Sequence, residues 1–214
     1  MDLLEITVVQ SDVTEIEADV LVVNLFEGVT SPGGATGAVD SALDGLISEL
    51  IFDGEISGSA SELTLIHTPN NAYPNFKPSR VLVAGLGSSK AFNTDSARKI
   101  SAGVIRKLRA VGVKSVATIV HGAGIGNLDA AYSTQAIVEG ALLGGYRFLK
   151  YRTTDKKRKS DVVQLTIIES DASKIGSIQT GVDRGIAYSE AEILARDLVN
   201  EPANKLSPSD LADT

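Results

Sequence analysis

The chain has 214 residues and a formal net charge of −7, with 43% apolar and 22% charged residues. That length holds one large domain, or one domain with a short appendage, and the acidic balance argues against a general affinity for nucleic acid or anionic membranes. Cysteine is absent, which excludes a disulfide framework, a thiolate metal site and a cysteine nucleophile. With 5% aromatics and no Trp, the core must be built from Val, Ile, Leu and Ala. Met1-Asp2-Leu3-Leu4-Glu5 carries acids where a signal peptide would carry basic residues, and no apolar run reaches the length of a membrane span. A cytoplasmic protein is the expectation.

In chain order, residues 4–9 and 19–23 are short β-rich runs bounded by polar turn residues. Ser31-Pro32-Gly33-Gly34 forms a loop. A helix is expected over 36–50, with Val39, Leu43, Leu46 and Leu50 on one face. A strand at 63–67 is followed by a proline-rich loop at 68–79, and then by an apolar strand at 80–84 that ends in the turn Gly85-Leu86-Gly87. Thr94 offers a helix N-cap, Ala97, Ile100, Val104, Leu108 and Val111 repeat at helical spacing, and Gly112 supplies the stop. A strand at 115–120 ends in the glycine loop 122–126, and a helix covers 129–148. A strand at 162–168 precedes a long helix over 177–199, with Ile178, Val182, Ile186, Ile193 and Leu194 inward. Ser207-Pro208 opens another helix. Strands alternating with helices define an α/β layered domain, and the continuous Val, Ile and Leu runs at 80–84 and 115–120 imply a sheet covered on both faces.

Few residues suggest chemistry. Gly85-x-Gly87 lacks the third glycine of a dinucleotide fingerprint, because Lys90 stands there, and reads as a strand-to-helix turn. The loops 33–37 and 122–126 could present backbone amides to a phosphate; the simpler reading is that each turns a strand into a helix. His67 and His121, the only histidines, lack the His/Glu spacing of a zinc peptidase and read as hydrogen-bonded structural residues. Arg147, Lys150, Arg152, Lys156, Lys157, Arg158 and Lys159 form a basic cluster. It reads as a solvated loop or subunit contact ahead of a DNA-binding surface.

The stretch Ala195-Arg196-Asp197-Leu198-Val199-Asn200-Glu201-Pro202-Ala203-Asn204-Lys205-Leu206-Ser207-Pro208 resembles the interdomain signature of the leucyl aminopeptidase family. Three further stretches are similar in the same order: Val83-Ala84-Gly85-Leu86-Gly87, Gly112-Val113-Lys114-Ser115-Val116 with the helix before it, and the "EGxxLxxYxF"-like run from Glu139 to Phe148. The resemblance implies an accessory N-terminal domain over 1–199 and an interdomain linker over 200–214 leading into a missing C-terminal catalytic domain. It implies a parent that is a hexameric exopeptidase acting on peptides through two divalent metals, Mn or Zn, in that catalytic domain. The family's metal-binding signatures, "NTDAEGR" among them, do not occur in these residues, so no catalytic or metal-ligating residue is carried over and no cofactor is expected in this portion. Arg196, Asp197 and Glu201 are expected to pair with the missing domain.

Residues 6–14 with Ser11-Asp12-Val13-Thr14, residues 19–24, and Gly33-Gly34-Ala35-Thr36-Gly37-Ala38-Val39-Asp40 resemble macro domains, which bind ADP-ribose. This implies a three-layer αβα sandwich with a mixed, mainly parallel sheet. It also implies an alternative role as a nucleotide-binding module, with Asp12, Gly33, Gly34, Gly124 and Gly126 as ligand contacts. Leu25 and Phe26 depart from the pattern of binding-competent macro domains, and a shared fold does not carry a shared ligand.

Overall fold

The computed structural model describes residues 4–69, 71–122, 128–153 and 160–212. Its strands are β1 (Glu5–Gln10), β2 (Val20–Phe26), β3 (Leu63–His67), β4 (Arg80–Gly87), β5 (Ser115–Ile119) and β6 (Gln164–Glu169). They form one sheet in the order β1-β6-β5-β2-β4-β3. Every pairing is parallel except β3 with β4. The helices are α1 (Gly34–Ala42), α2 (Leu46–Phe52), α3 (Thr94–Val111), α4 (Ala130–Gly145), α5 (Ala172–Asn200) and α6 (Pro208–Ala212).

Alternation along the strands divides the core in two. Val20, Val22, Leu82, Ala84, Val116 and Leu165 point to one face and pack on α3 and α4. Ile167 joins Ile137, Val138, Ile178 and Val182 of α4 and α5 on that same side. Leu21, Val23, Val81, Val83, Ala117 and Ile168 point the other way, to Val39, Leu43 and Ile47 of α1 and α2. The result is the expected three-layer αβα sandwich with a mixed, mainly parallel sheet.

The helices of the thicker layer meet almost backbone to backbone. A Cβ on Gly140 would lie 2.2 Å from the Arg98 carbonyl oxygen of α3, and one on Gly144 2.6 Å from the Ala102 Cα. On the other flank of α4, a Cβ on Gly181 would lie 2.4 Å from the Ala131 carbonyl oxygen, and one on Gly185 2.7 Å from Val138. The Ser101 hydroxyl donates to the Ile137 carbonyl at 2.7 Å, and Arg98 reaches across to the buried carboxylate of Glu139 with Nε at 2.7 Å.

Several local expectations need correction. The helix expected over 36–50 is two helices. Asp44 (φ 56°) and Gly45 (φ 85°) adopt the left-handed conformation between them, and the Asp40 carboxylate accepts from the Ser48 N–H at 3.0 Å and from its hydroxyl at 2.5 Å. Gly85-Leu86-Gly87 is not a turn but the end of β4. The loop before β3 lies over it: the Gly87 N–H donates to the Gly58 carbonyl and the Gly85 N–H to that of Glu62, each at 2.8 Å. Asn93, not Thr94, caps α3, its side chain accepting from the Ser96 N–H at 3.0 Å. The helix expected over 129–148 ends at Gly145, because Tyr146 turns extended. Leu194 is 54% exposed rather than inward, since α5 buries Ile178, Gly181, Val182, Gly185 and Ser189 and then runs past the sheet.

Candidate functional site

β2 and β5 are hydrogen-bonded neighbours, yet α1 follows β2 on one face of the sheet while α4 follows β5 on the other. Such a switch leaves a crevice beyond the carboxyl ends of the two strands. A cleft of about 440 Å³ opens there. Val13, Leu25, Ile119 and Ile168 give it an aliphatic floor; Gly33, Gly34 and Thr36 at the start of α1 form one rim, and Glu169 at the end of β6 with Ser170 and Lys174 beyond it form the other.

The polar groups of the cleft are fixed by their neighbours. Thr36 Oγ1 donates to the Asn24 carbonyl at 2.7 Å, tying α1 to β2. Asn24 lines the cleft, and its Nδ2 lies 3.3 Å from Nδ1 of His121. Burial alone holds His121 neutral, lowering its pKa from 6.5 to about 4. Because an amide nitrogen only donates, the His121 Nδ1 accepts and its proton resides on Nε2. This leaves Oδ1 as the acceptor that the Asn24 amide can offer. Glu169 Oε1 accepts from the Asp171 N–H at 3.0 Å, so its carboxylate is anchored at the cleft edge.

Of the sequence-derived contacts, Gly33 and Gly34 line the cleft. Gly34 has φ 55° and nothing within 4 Å of the position a Cβ would take, so backbone can approach a ligand closely. Asp12 is not among the lining residues. Its exposed carboxylate accepts from the Thr14 N–H at 2.9 Å and the Thr14 hydroxyl at 2.7 Å, bonds that hold it below the usual carboxylate range. Gly124 and Gly126 lie outside the described residues, as do Lys156, Lys157, Arg158 and Lys159 of the basic cluster. Asn24, Glu169 and Lys174 carry no local sequence signal for a site; Asn24 and Glu169 lie near the ends of β2 and β6 and Lys174 in the first turn of α5, and only the sheet order brings them together.

A second polar cluster sits where α5 leaves the sheet. Tyr146 Oη donates to Asp197 Oδ1 at 2.7 Å, and Arg196 lies 5.6 Å over the Tyr146 ring. Lys150 and Tyr151 both bond the Glu201 carboxylate. Arg147 pairs with Asp161. Arg196, Asp197 and Glu201, expected to pair outside this domain, thus already hold partners within it.

An α/β sandwich of this strand order is a macro-like fold, with a cleft at its switch point. Macrodomains share the fold: the Trypanosoma brucei macrodomain in complex with ADP-ribose superposes with a TM-score of 0.62 at 15% identity, over 83% of this chain and 69% of that one. A mutant of tomato leucine aminopeptidase superposes with a TM-score of 0.76 at 22% identity, over 98% of this chain and 41% of that one. Residues 22–155 match the model of the cytosol aminopeptidase family, N-terminal domain. A probable cytosol aminopeptidase of Alkaliphilus metalliredigens is 32% identical over 210 residues, 98% of this chain and 41% of the relative. The chain belongs to the cytosol aminopeptidase family, as its N-terminal domain, and spans about two-fifths of the length of the curated relatives it matches.

Proposed function

We propose that this chain is the non-catalytic accessory part of a cytoplasmic aminopeptidase that releases N-terminal residues, leucine among them, from peptides. Residues 1–199 form the accessory domain, and 200–214 form the linker and the start of a C-terminal domain holding two divalent metals, Mn or Zn. The accessory domain serves assembly, a hexamer, and restricts the active site to short peptides. What carries this reading is the match of residues 22–155 to an N-terminal domain model together with relatives named as aminopeptidases and more than twice as long. Among the described residues, no group of three or more His, Cys, Asp or Glu side chains is placed to hold a metal ion. These residues do not fit a two-metal centre, and no catalytic step is assigned to them. No helix among the described residues is long and apolar enough to cross a membrane.

The test is hydrolysis of a leucine chromogenic amide with added Mn²⁺, by this chain and by the product of the full reading frame that encodes it. Turnover is expected from the longer product alone. Turnover by the 214-residue chain well above a heat-killed control would overturn the accessory role.

The macro-like fold suggests a second reading, a module for ADP-ribose or a related nucleotide, with Gly33 and Gly34 on the cleft rim. Calorimetric titration with ADP-ribose tests it; micromolar binding would favour it. A DNA-binding role is the weakest of the three, since the chain is acidic, and a salt-dependent gel shift would reveal it.

A further inference from the structure

We propose that the cleft beyond β2, β5 and β6 binds a small zwitterion, a free aliphatic amino acid or a dipeptide. The aminopeptidase reading explains the source of such a ligand, since that chemistry releases amino acids and consumes short peptides; the site itself is argued from the cleft.

Among the described residues lining the cleft, the charged ones are Glu169 and Lys174, one of each sign. Lys174 Nζ lies 3.9 Å from Glu169 Oε2 and 3.6 Å from Asp171 Oδ2. Both separations are beyond a direct hydrogen bond, so the three charges form a loose set into which a second ion pair can exchange. Glu169 Oε1 is occupied by the Asp171 N–H at 3.0 Å, which leaves Oε2 to receive an ammonium. On the opposite rim the first turn of α1 has no side-chain cap. Its backbone N–H groups suit a carboxylate, and the Lys174 ammonium offers the same charge complement on the other rim.

Between the rims lie Val13, Leu25, Val29, Ile119, Val120 and Ile168. This floor takes an aliphatic side chain. The aromatic ring in the lining, Phe26, is already engaged edge-on by Phe92 at a centroid distance of 5.4 Å. A polyphosphate fits poorly. Glu169, Asp171 and Lys174 sum to one negative charge, so several phosphate charges would meet a single ammonium shared between two carboxylates. A zwitterion adds no net charge and supplies a partner for each sign. A volume of about 440 Å³ falls within the range of small-molecule sites, roughly 300–1,000 Å³, and has room for a dipeptide.

The experiment is calorimetric titration of this chain with L-leucine, leucyl-leucine, 4-methylpentanoate, 3-methylbutylamine and ADP-ribose. L-leucine or leucyl-leucine is expected to bind with a Kd on the order of 1 mM or tighter, and the tighter of the two identifies the source. 4-Methylpentanoate lacks the ammonium and 3-methylbutylamine the carboxylate; each is expected to bind at least about tenfold more weakly than L-leucine. Glu169→Gln is expected to cost about tenfold in L-leucine affinity with an unchanged circular dichroism spectrum. The analogue series decides the matter without relying on the variant's folding. Absence of saturable binding by both leucine ligands, equal binding by 4-methylpentanoate, or tighter binding by ADP-ribose than by either leucine ligand overturns the proposal. Because binding is read on this chain and hydrolysis on the longer product, the two can fail separately. A longer product that hydrolyses leucine amide, beside a chain that ignores leucine, sinks only this inference; the reverse result sinks only the aminopeptidase reading.

Discussion

The phenol of Tyr146, just after α4, donates to the carboxylate of Asp197, near the end of α5, at 2.7 Å. Asn200 Nδ2 reaches the same phenol at 3.3 Å, so the last turns of α5 are fastened sideways although they bury little. Tyr146→Phe removes this bond while keeping the ring under Arg196. The expected result is faster amide hydrogen exchange over residues 194–201 with exchange in the sheet unchanged, read by mass spectrometry. Equal exchange in the two proteins would show that the fastening is idle.

His121 gives the fold a pH dependence of known sign. Its folded pKa of about 4 lies below the ordinary 6.5 because of burial. Between those values the unfolded chain takes up a proton that the folded chain refuses. Stability is therefore complete above 6.5 and is lost as pH falls toward 4, by roughly 3 kcal/mol in total. Urea unfolding at about pH 7.5 and about pH 5 should show the loss, and His121→Gln should flatten it. The lowered carboxylates Asp12, Asp19, Asp95, Asp171 and Asp210 act below their ordinary value of 3.8, and Glu201, lowered from 4.5, touches only the acid edge of this window.

The glycines of the helical layer predict opposite outcomes for one substitution. Gly140→Ala places a methyl 2.2 Å from the Arg98 carbonyl oxygen and is expected to destabilise by about 1–3 kcal/mol. Gly176→Ala, on the exposed side of α5 with nothing within 4 Å, is expected to stabilise by about 0.5–1 kcal/mol. Thermal unfolding of the pair checks both signs.

Asp19 stitches the start of β2 to the start of β5. Its carboxylate accepts from the Lys114 N–H at 2.9 Å and the Ser115 N–H at 3.0 Å. Burial raises its pKa, but the bonds from Ser115 and Lys114 outweigh that and hold it below 3.8. Its contribution is therefore present above that value and lost as pH falls through the folded pKa. Asp19→Ala is expected to cost about 1 kcal/mol at neutral pH, a figure discounted for partial exposure. The difference from the parent chain should shrink in acid, as read from denaturant midpoints.

The elements legible in the sequence were those decided by local periodicity. The spacing of Ala97, Ile100, Val104 and Leu108 delivers α3 with all four buried, and the apolar runs deliver β4 and β5. What escaped was decided by distant partners. Gly85 and Gly87 look like a turn until the chain at 58–62, far back in sequence, is seen bonded along them. The break between α1 and α2 had a signal in Asp44-Gly45, a turn dipeptide, which the apolar spacing of Val39 and Leu43 masked. In the cleft, the Gly33-Gly34 loop was readable from its composition. Glu169 and Lys174 were not, because an acid and a lysine after a strand are ordinary until β6 is placed beside β5. Asp12 was singled out by resemblance, and its geometry closes it on Thr14.

Helix α4 touches both of its neighbours through glycine, at Gly140 and Gly144 on its own surface and at Gly181 and Gly185 on α5. At Gly140, Gly144 and Gly181 the nearest atom across the contact includes main chain, and at Gly185 it is the Val138 Cβ, which no rotamer change moves. The spacing of the three helices is thus set by main-chain and Cβ atoms, and the layer transmits a load instead of absorbing it. Whatever rests on the outer side of α5 meets an anvil rather than a cushion, and pressure there is passed through α4 to the strands that frame the cleft.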